Sequence, residues 1–243
     1  MPESPSESVA RLGRRAVTAL VPARDEAPRI VEVLRTMPAE VGRIVVVDDG
    51  SRDGTAAQAE GADPRVTVIR HRRSRGVGAA LATGYREAFA AGAEAVVVLA
   101  GDGQMAPADL PFLLAALGPP GQAVYVKGTR LTAPRVLRDM PTGRLVGNVA
   151  LTLLTRAVTG LDVTDAQCGY TALTRHAAER LDLPSLWPRY GYPNDLLARC
   201  AARGVPVREV PVRAVYRGEK SGLRLRDALV TVPFALCSSG WRS

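Results

Sequence analysis

Short runs of β-branched and aliphatic residues recur along the chain, each closed by a polar turn and followed by apolar residues every three to four positions. Residues 16–21 (AVTALV), 44–47 (IVVV), 66–69 (VTVI) and 95–99 (AVVVL) predict four strands without an internal charge. Runs of this kind fit parallel strands covered on both faces. Pro22 is expected to stop the first one. Pro28 suits a first helical turn, with Ile30, Val33 and Leu34 at helical spacing behind it. Further helices are expected from about residue 56, from residues 76–78 to about 91, and from Pro107 through 117. Four strand–helix alternations predict an α/β domain with a mostly parallel, doubly wound central sheet and helices on both faces.

The second half is less regular. Residues 122–127 (QAVYVK) predict another strand, ending in Gly128, Thr129 and Arg130, and residues 131–143, with two prolines and no period, read as a mobile loop over a site. Residues 144–159 form a largely apolar helix in which Arg144, Asn148 and Arg156 argue against membrane insertion. A strand at 170–173, a helix at 196–202 capped by Asn194 or Asp195, and an edge strand within 205–215 complete the pattern. Beyond them, Leu225, Leu229, Val232 and Leu236 recur at helical spacing beside Arg224 and Arg226. That stripe either packs on the core or lies in a membrane surface.

Length and composition narrow the class. The 243 residues, 47% hydrophobic, fit one domain with a full core of Ala, Val and Leu, since aromatic residues make up only 5%. Residues 1–14 are polar and then basic with no apolar stretch, which reads as a disordered tail and not as a signal peptide. A net charge of +8 points to an anionic partner. Neither zinc-finger spacing nor basic runs interleaved with aromatics occur, so nucleic acid is not the expected one. Cys168, Cys200 and Cys237 are odd in number and widely spaced, as expected in a reducing, cytoplasmic setting. With two histidines in the chain, a His-based metal site or a Ser-His-Asp triad has little support. No apolar run approaches the roughly 20 residues that a membrane-spanning helix requires.

Candidate chemistry collects at the strand ends, where ligands bind in open α/β sheets. Asp25 and Glu26 follow the first strand and either cap the next helix or face a ligand. Asp48 and Asp49 follow the second, as a solvated turn or as acceptors for a nucleoside. His71, Arg72, Arg73 and Arg75, with glycines at 76 and 78, precede a helix whose free N–H groups suit a phosphate, the alternative being a solvated basic loop. The fourth strand runs into Gly101, Asp102 and Gly103, a carboxylate on a sharp turn.

Taken together and in order, these segments resemble family-2 glycosyltransferases of the GT-A fold, and within them the dolichol-phosphate mannosyltransferase-like group. VPARDEAPRI is similar to that group's IPAYNE opening, and VVVDDGSRDGT is nearly its most recognisable string. RGVGAALATGY resembles GKGAALRTG, and VVVLAGDGQMAPADL resembles the DADGQHDPEDI strand end. GTR, the stretch from Arg144 to Asn148, DAQCGYTAL, GYPNDLL and VPVRAVYRGEKSGL then fall in the family's order. The match covers nearly everything after the tail, which implies a GT-A (Rossmann-like) single domain over 15–222 followed by a C-terminal amphipathic segment over 223–243.

The resemblance implies a nucleotide-sugar donor bound by Pro22, Ala23, Arg24, Asp25, Glu26, Asp48, Asp49, Ser51, Arg75, Gly101 and Asp102. It also implies a divalent cation, Mg²⁺ or Mn²⁺, held by Asp102 and Gln104. Here the chain departs from its family, because the first acid of the metal motif falls on Ala100. Asp102 alone still suits Mg²⁺, which often takes one or two protein carboxylates and completes its shell with water and phosphate oxygens. Arg130, Arg144, Asp165, Gln167, Arg217 and Lys220 fall on positions that handle the acceptor and its phosphate. Catalytic roles are expected for Asp102, Arg130 and Asp195, the last as base for a hydroxyl acceptor. A phosphate acceptor is already anionic and needs cations, not a base. The resemblance thus implies inverting, metal-assisted transfer, and the cationic positions favour a polyprenyl phosphate as acceptor, with the enzyme cytoplasmic or peripheral on the inner face of the membrane. Alternatives are a soluble hydroxyl acceptor in specialised metabolism and a nucleotide-sugar-binding protein weakened by Ala100.

Overall fold

Residues 16–132 and 140–213 are described by the computed structural model. The expected tail at 1–14, most of the loop at 131–143, Arg217, Lys220, Cys237 and the amphipathic segment at 223–243 lie outside the described residues. The elements run β1 (Val17–Ala23), α1 (Ala27–Arg35), β2 (Arg43–Asp48), α2 (Thr55–Glu60), β3 (Val66–Arg70), α3 (Val77–Ala90) and β4 (Ala95–Val98). They continue with α4 (Leu110–Ala116), β5 (Tyr125–Thr129), α5 (Thr142–Thr159), β6 (Thr171–Thr174), α6 (Arg175–Arg180), α7 (Tyr192–Ala202) and β7 (Val207–Pro211).

Among the described residues all seven strands share one sheet in the order β3-β2-β1-β4-β6-β5-β7. The left half is parallel, as the strand–helix alternation predicts, with β1 between β2 and β4. β6 is inserted antiparallel to both β4 and β5, and β5 then pairs in parallel with the edge strand β7. Pro22 does not stop β1. It has no N–H to give, but its carbonyl accepts from Gly101 at 3.3 Å and the Ala23 carbonyl accepts from Asp49 at 2.9 Å, so pairing continues past it.

Side-chain alternation along the strands splits the core into two layers. Val17, Ala19, Val21, Ile44, Val46 and Val97 face α1 and α4, whose Ile30, Leu34, Leu110 and Leu113 are buried against them. Leu20, Val45, Val47, Val96 and Val98 face α3 and α7 on the other side, against Leu81, Tyr85, Leu196 and Leu197. Helices thus cover both faces, which leaves the loops after β1, β2, β4 and β5 to form one edge. Among the described residues no helix is long and apolar enough to cross a membrane.

Candidate active site

The loops after β1 and β2 are tied together by backbone N–H groups and short polar side chains. Asp25 adopts a left-handed conformation (φ 56°), its N–H donates to Ser51 Oγ at 2.9 Å, and its Oδ1 accepts from the Arg52 N–H at 2.8 Å. Ser51 in turn donates its N–H (2.9 Å) and its hydroxyl to Asp48 Oδ1. The start of α1 is capped from outside: Ala27 N–H donates to Asp53 Oδ2 at 3.0 Å, and neither Asp25 nor Glu26 caps it. Pro22, Ala23, Arg24, Asp25, Glu26, Asp48 and Ser51 therefore belong to one interlocked edge at the carboxyl end of β1 and β2, in which Ala23 and Asp48 are buried. Arg24 reaches across it to Ser74, with Nη1 3.1 Å from Oγ.

Asp49 has a different role from the one expected. Its carboxylate is buried and accepts from Ser74 Oγ (2.7 Å), Arg75 N–H (2.8 Å) and Gly76 N–H (2.8 Å), with His71 Nδ1 at 2.7 Å. Burial alone would raise its pKa, but these donors outweigh it and hold the carboxyl below the usual range. It holds the 71–76 loop in place and is not directed at a ligand. Nor is the start of α3 an open phosphate cradle. Ala79 N–H donates to the Pro188 carbonyl at 3.2 Å, and a Cβ on Gly76 or Gly78 would stand 2.3 Å from Pro188 O or 1.8 Å from Trp187 O. The glycines admit a neighbouring backbone, and the Arg75 side chain stands exposed beyond it.

The turn after β4 is built around Asp102. Gly101 lies against α1 and β1, where a Cβ would meet Ile30 Cδ1 at 2.9 Å, and Asp102 Oδ1 accepts the Gln104 N–H at 2.9 Å. Glu26 lies near enough to feel the charge of Asp102. Burial, and then the charge of Asp102, push its carboxyl above the usual range. Two carboxylates and the Gln104 amide are hard oxygen donors, suited to Mg²⁺ or Mn²⁺ with a shell completed by water and phosphate oxygens. Ala100 offers only backbone, its N–H lying 3.3 Å from Met105 Sδ. Among the described residues no group of three or more His, Cys, Asp or Glu side chains could hold a metal ion.

Across the turn, Arg130 at the end of β5 forms a two-pronged pair with Asp165: Nε to Oδ2 is 2.7 Å and Nη2 to Oδ1 is 3.0 Å. Asp165 is fully buried, so it positions Arg130 and is not itself a phosphate contact. Lys127, also fully buried, donates from Nζ to the Cys168 carbonyl. Against burial, the Arg130 hydrogen bonds and charge, and then the charge of Lys127, hold the Asp165 carboxyl below the usual range. Gln167 is fixed by Asn194, and Asn194 by Thr155 on α5. Gln104, Met105, Arg130, Cys168, Tyr170 and Arg213 line one cleft between the β4 turn and the β5 end. Arg144, half-buried in the first turn of α5, is not among its lining residues.

Asp195 is placed elsewhere. It sits inside α7, not ahead of it, and is 2% exposed. Its Oδ2 accepts the Trp187 N–H at 2.7 Å and its Oδ1 pairs with Arg199 Nε at 3.0 Å. Both oxygens are thus committed within the protein, which removes the geometric basis for a general base. Sequence reading missed Asp53, Asp109, Lys127 and Arg213. Only Lys127 left a usable signal, as a charge closing an otherwise apolar strand.

Residues 18–182 match the family model described as Glycosyl transferase family 2. The chain is 33% identical over 218 residues to the polyprenol monophosphomannose synthase of Mycolicibacterium smegmatis, covering 86% of this chain and 81% of that one. It is 32% identical over 216 residues to the undecaprenyl-phosphate mannosyltransferase of Micrococcus luteus, covering 82% and 88%. Among solved structures, glucosyl-3-phosphoglycerate synthase from Mycobacterium tuberculosis with Mn²⁺, UDP-glucose and phosphoglyceric acid superposes with a TM-score of 0.70 at 22% identity, over 98% of this chain and 85% of that one. At that identity the likeness is one of fold.

Proposed function

Because this chain belongs to glycosyl transferase family 2 and is a glycosyltransferase, we propose that it transfers a hexosyl group from a nucleotide sugar to a polyprenyl phosphate. The donor's nucleoside lies along the interlocked edge of residues 24–26, 48 and 51–53, and its diphosphate reaches the Asp102 turn. Asp102, with Gln104 and Glu26 beside it, would hold a divalent cation, which would supply positive charge to offset that of the diphosphate. Arg130, fixed by Asp165, positions the acceptor phosphate. A phosphate oxygen forms the new bond to the anomeric carbon from the face opposite the donor, and the carbon–oxygen bond to the diphosphate breaks with its electron pair. The configuration at that carbon inverts.

The observation that carries this choice of acceptor is the contrast between Arg130 and Asp195. The cation is pre-oriented in the cleft that also holds Gln104, whereas the carboxylate expected to serve a hydroxyl acceptor is sealed against Trp187 and Arg199. An anionic nucleophile needs the first and not the second. A polyprenyl acceptor puts the reaction at a membrane face. Radiolabelled sugar from a panel of nucleotide donors is expected to enter an organic-extractable product with polyprenyl phosphate. Label that enters only a water-soluble product with a small phosphorylated acceptor would replace this reading with a soluble one.

A further inference from the structure

Arg213 reaches the cleft by a route that starts at Gly128. A Cβ at Gly128 would stand 2.9 Å from Val212 Cγ2 and 3.1 Å from the Tyr170 carbonyl. Its absence lets the chain leaving β7 settle over the end of β5, where Val212 N–H donates to Thr129 O at 3.0 Å. The next residue is thereby set at the cleft. There, Arg213 docks on Asp109: its N–H donates to Oδ2 at 2.7 Å and its Nε to Oδ1 at 2.7 Å. Asp109 is 4% exposed, while the Arg213 side chain keeps 65% of its surface. A buried acid therefore grips one edge of the guanidinium and leaves the rest of a five-donor fork at the cleft.

Arg130 is held in the same manner by Asp165. The cleft thus presents two guanidinium groups, each oriented by its own buried carboxylate, over a lining that includes Met105 and Tyr170. Fixed planar forks match the oxygens of a phosphate. A neutral hydroxyl compound offers fewer acceptor oxygens and no charge to the N–H donors that the two carboxylates leave facing the cleft.

We propose that Arg213 is a second contact for the acceptor's phosphate and a determinant of the enzyme's preference for phosphorylated over neutral acceptors; this deepens, and rests on, the assignment of the acceptor as a lipid phosphate. Asp109 is its positioning residue.

The test uses the full chain with geranyl phosphate and geraniol as probes, comparing wild type with Arg213→Gln and Arg213→Lys. Binding of geranyl phosphate is measured by calorimetry, and transfer by initial rates over acceptor and donor concentrations. Arg213→Gln is expected to weaken geranyl phosphate binding and raise the acceptor KM roughly tenfold or more, with kcat and donor KM within about twofold. Arg213→Lys, which keeps the charge and loses the fork, falls between. A wild type that fails to bind geranyl phosphate, or binding that is equal in wild type and Arg213→Gln, overturns the proposal. So does an Arg213→Gln defect that appears equally in donor KM. Arg213-dependent binding without sugar transfer from any donor supports the phosphate subsite and sinks the lipid-acceptor assignment alone.

Discussion

Arg130 and Asp165 meet fork to fork, Nε on Oδ2 at 2.7 Å and Nη2 on Oδ1 at 3.0 Å, with the acid fully buried and Lys127 behind it. Removing the acid's charge leaves the buried Lys127 and the part-buried Arg130 unbalanced, a loss of up to about 3–5 kcal/mol by analogy with other broken buried pairs. Asp165→Asn is therefore expected to lower the melting temperature and to raise the acceptor KM. Arg130→Lys should retain most of the stability and lose most of the turnover, because an ammonium cannot reproduce the two-pronged geometry. Thermal melts beside steady-state kinetics separate the two effects. Equal losses in both variants would mean that the pair is structural only.

Asp49 gives a pH signature. Its native pKa is depressed by the donors of the 71–76 loop, so the unfolded chain takes up its proton first as pH falls. The stabilisation is present above the unfolded value of about 3.9 and is lost as pH drops through the native value. Asp49→Asn should cost about 3 kcal/mol at neutral pH. In denaturant titrations the gap to wild type should hold from pH 6 to about 5 and narrow only as pH falls below about 4, toward the depressed native value. A gap independent of pH would show that the carboxylate's charge does not hold the loop.

Asp195 separates a structural acid from a catalytic one. With Trp187 N–H on one oxygen and Arg199 Nε on the other, Asp195→Asn should lower stability by several kcal/mol. The fraction that remains folded should turn over within about threefold of wild type, whereas loss of a general base costs roughly 100-fold or more. The decisive measurement is kcat per folded molecule at low temperature. A 100-fold fall there would restore Asp195 as a base.

What was legible beforehand follows from the range of the signal. The parallel half of the sheet shows itself because each strand is a continuous apolar run of four to six residues, bounded by local turns. The strand-end acids Asp25, Glu26, Asp48 and Asp102 lie where a parallel strand must release its chain, so their shared edge was foreseeable. The antiparallel insertion of β6 was not, because Thr171–Thr174 has the same local pattern in either direction. Pairings across long separations left no trace either: Asp109 meets Arg213 across 104 positions, and Asp49 meets Gly76 across 27. The glycines at 76 and 78 were read with the basic residues beside them as a place for a phosphate, and they do mark a close approach. What approaches is the Pro188 backbone and not a phosphate, a distinction that only the fold supplies.

Ala100 leaves the β4 turn with Asp102 as its only acid, beside Glu26 from α1's entry loop. Ligand charge sets much of the affinity for a hard cation, so wild type should need more metal than a turn carrying two acids. Ala100→Asp is expected to lower the Mn²⁺ concentration for half-maximal transfer roughly tenfold. Gln104→Ala should raise it several-fold, and Asp102→Ala should abolish metal-dependent transfer altogether. Metal titrations of the initial rate test all three variants. Parallel titrations of the melting temperature with nucleoside diphosphate present report binding without relying on turnover. Metal-dependent transfer near the wild-type rate in Asp102→Ala would move the cation away from this turn, and with it the diphosphate that Asp102 is proposed to receive.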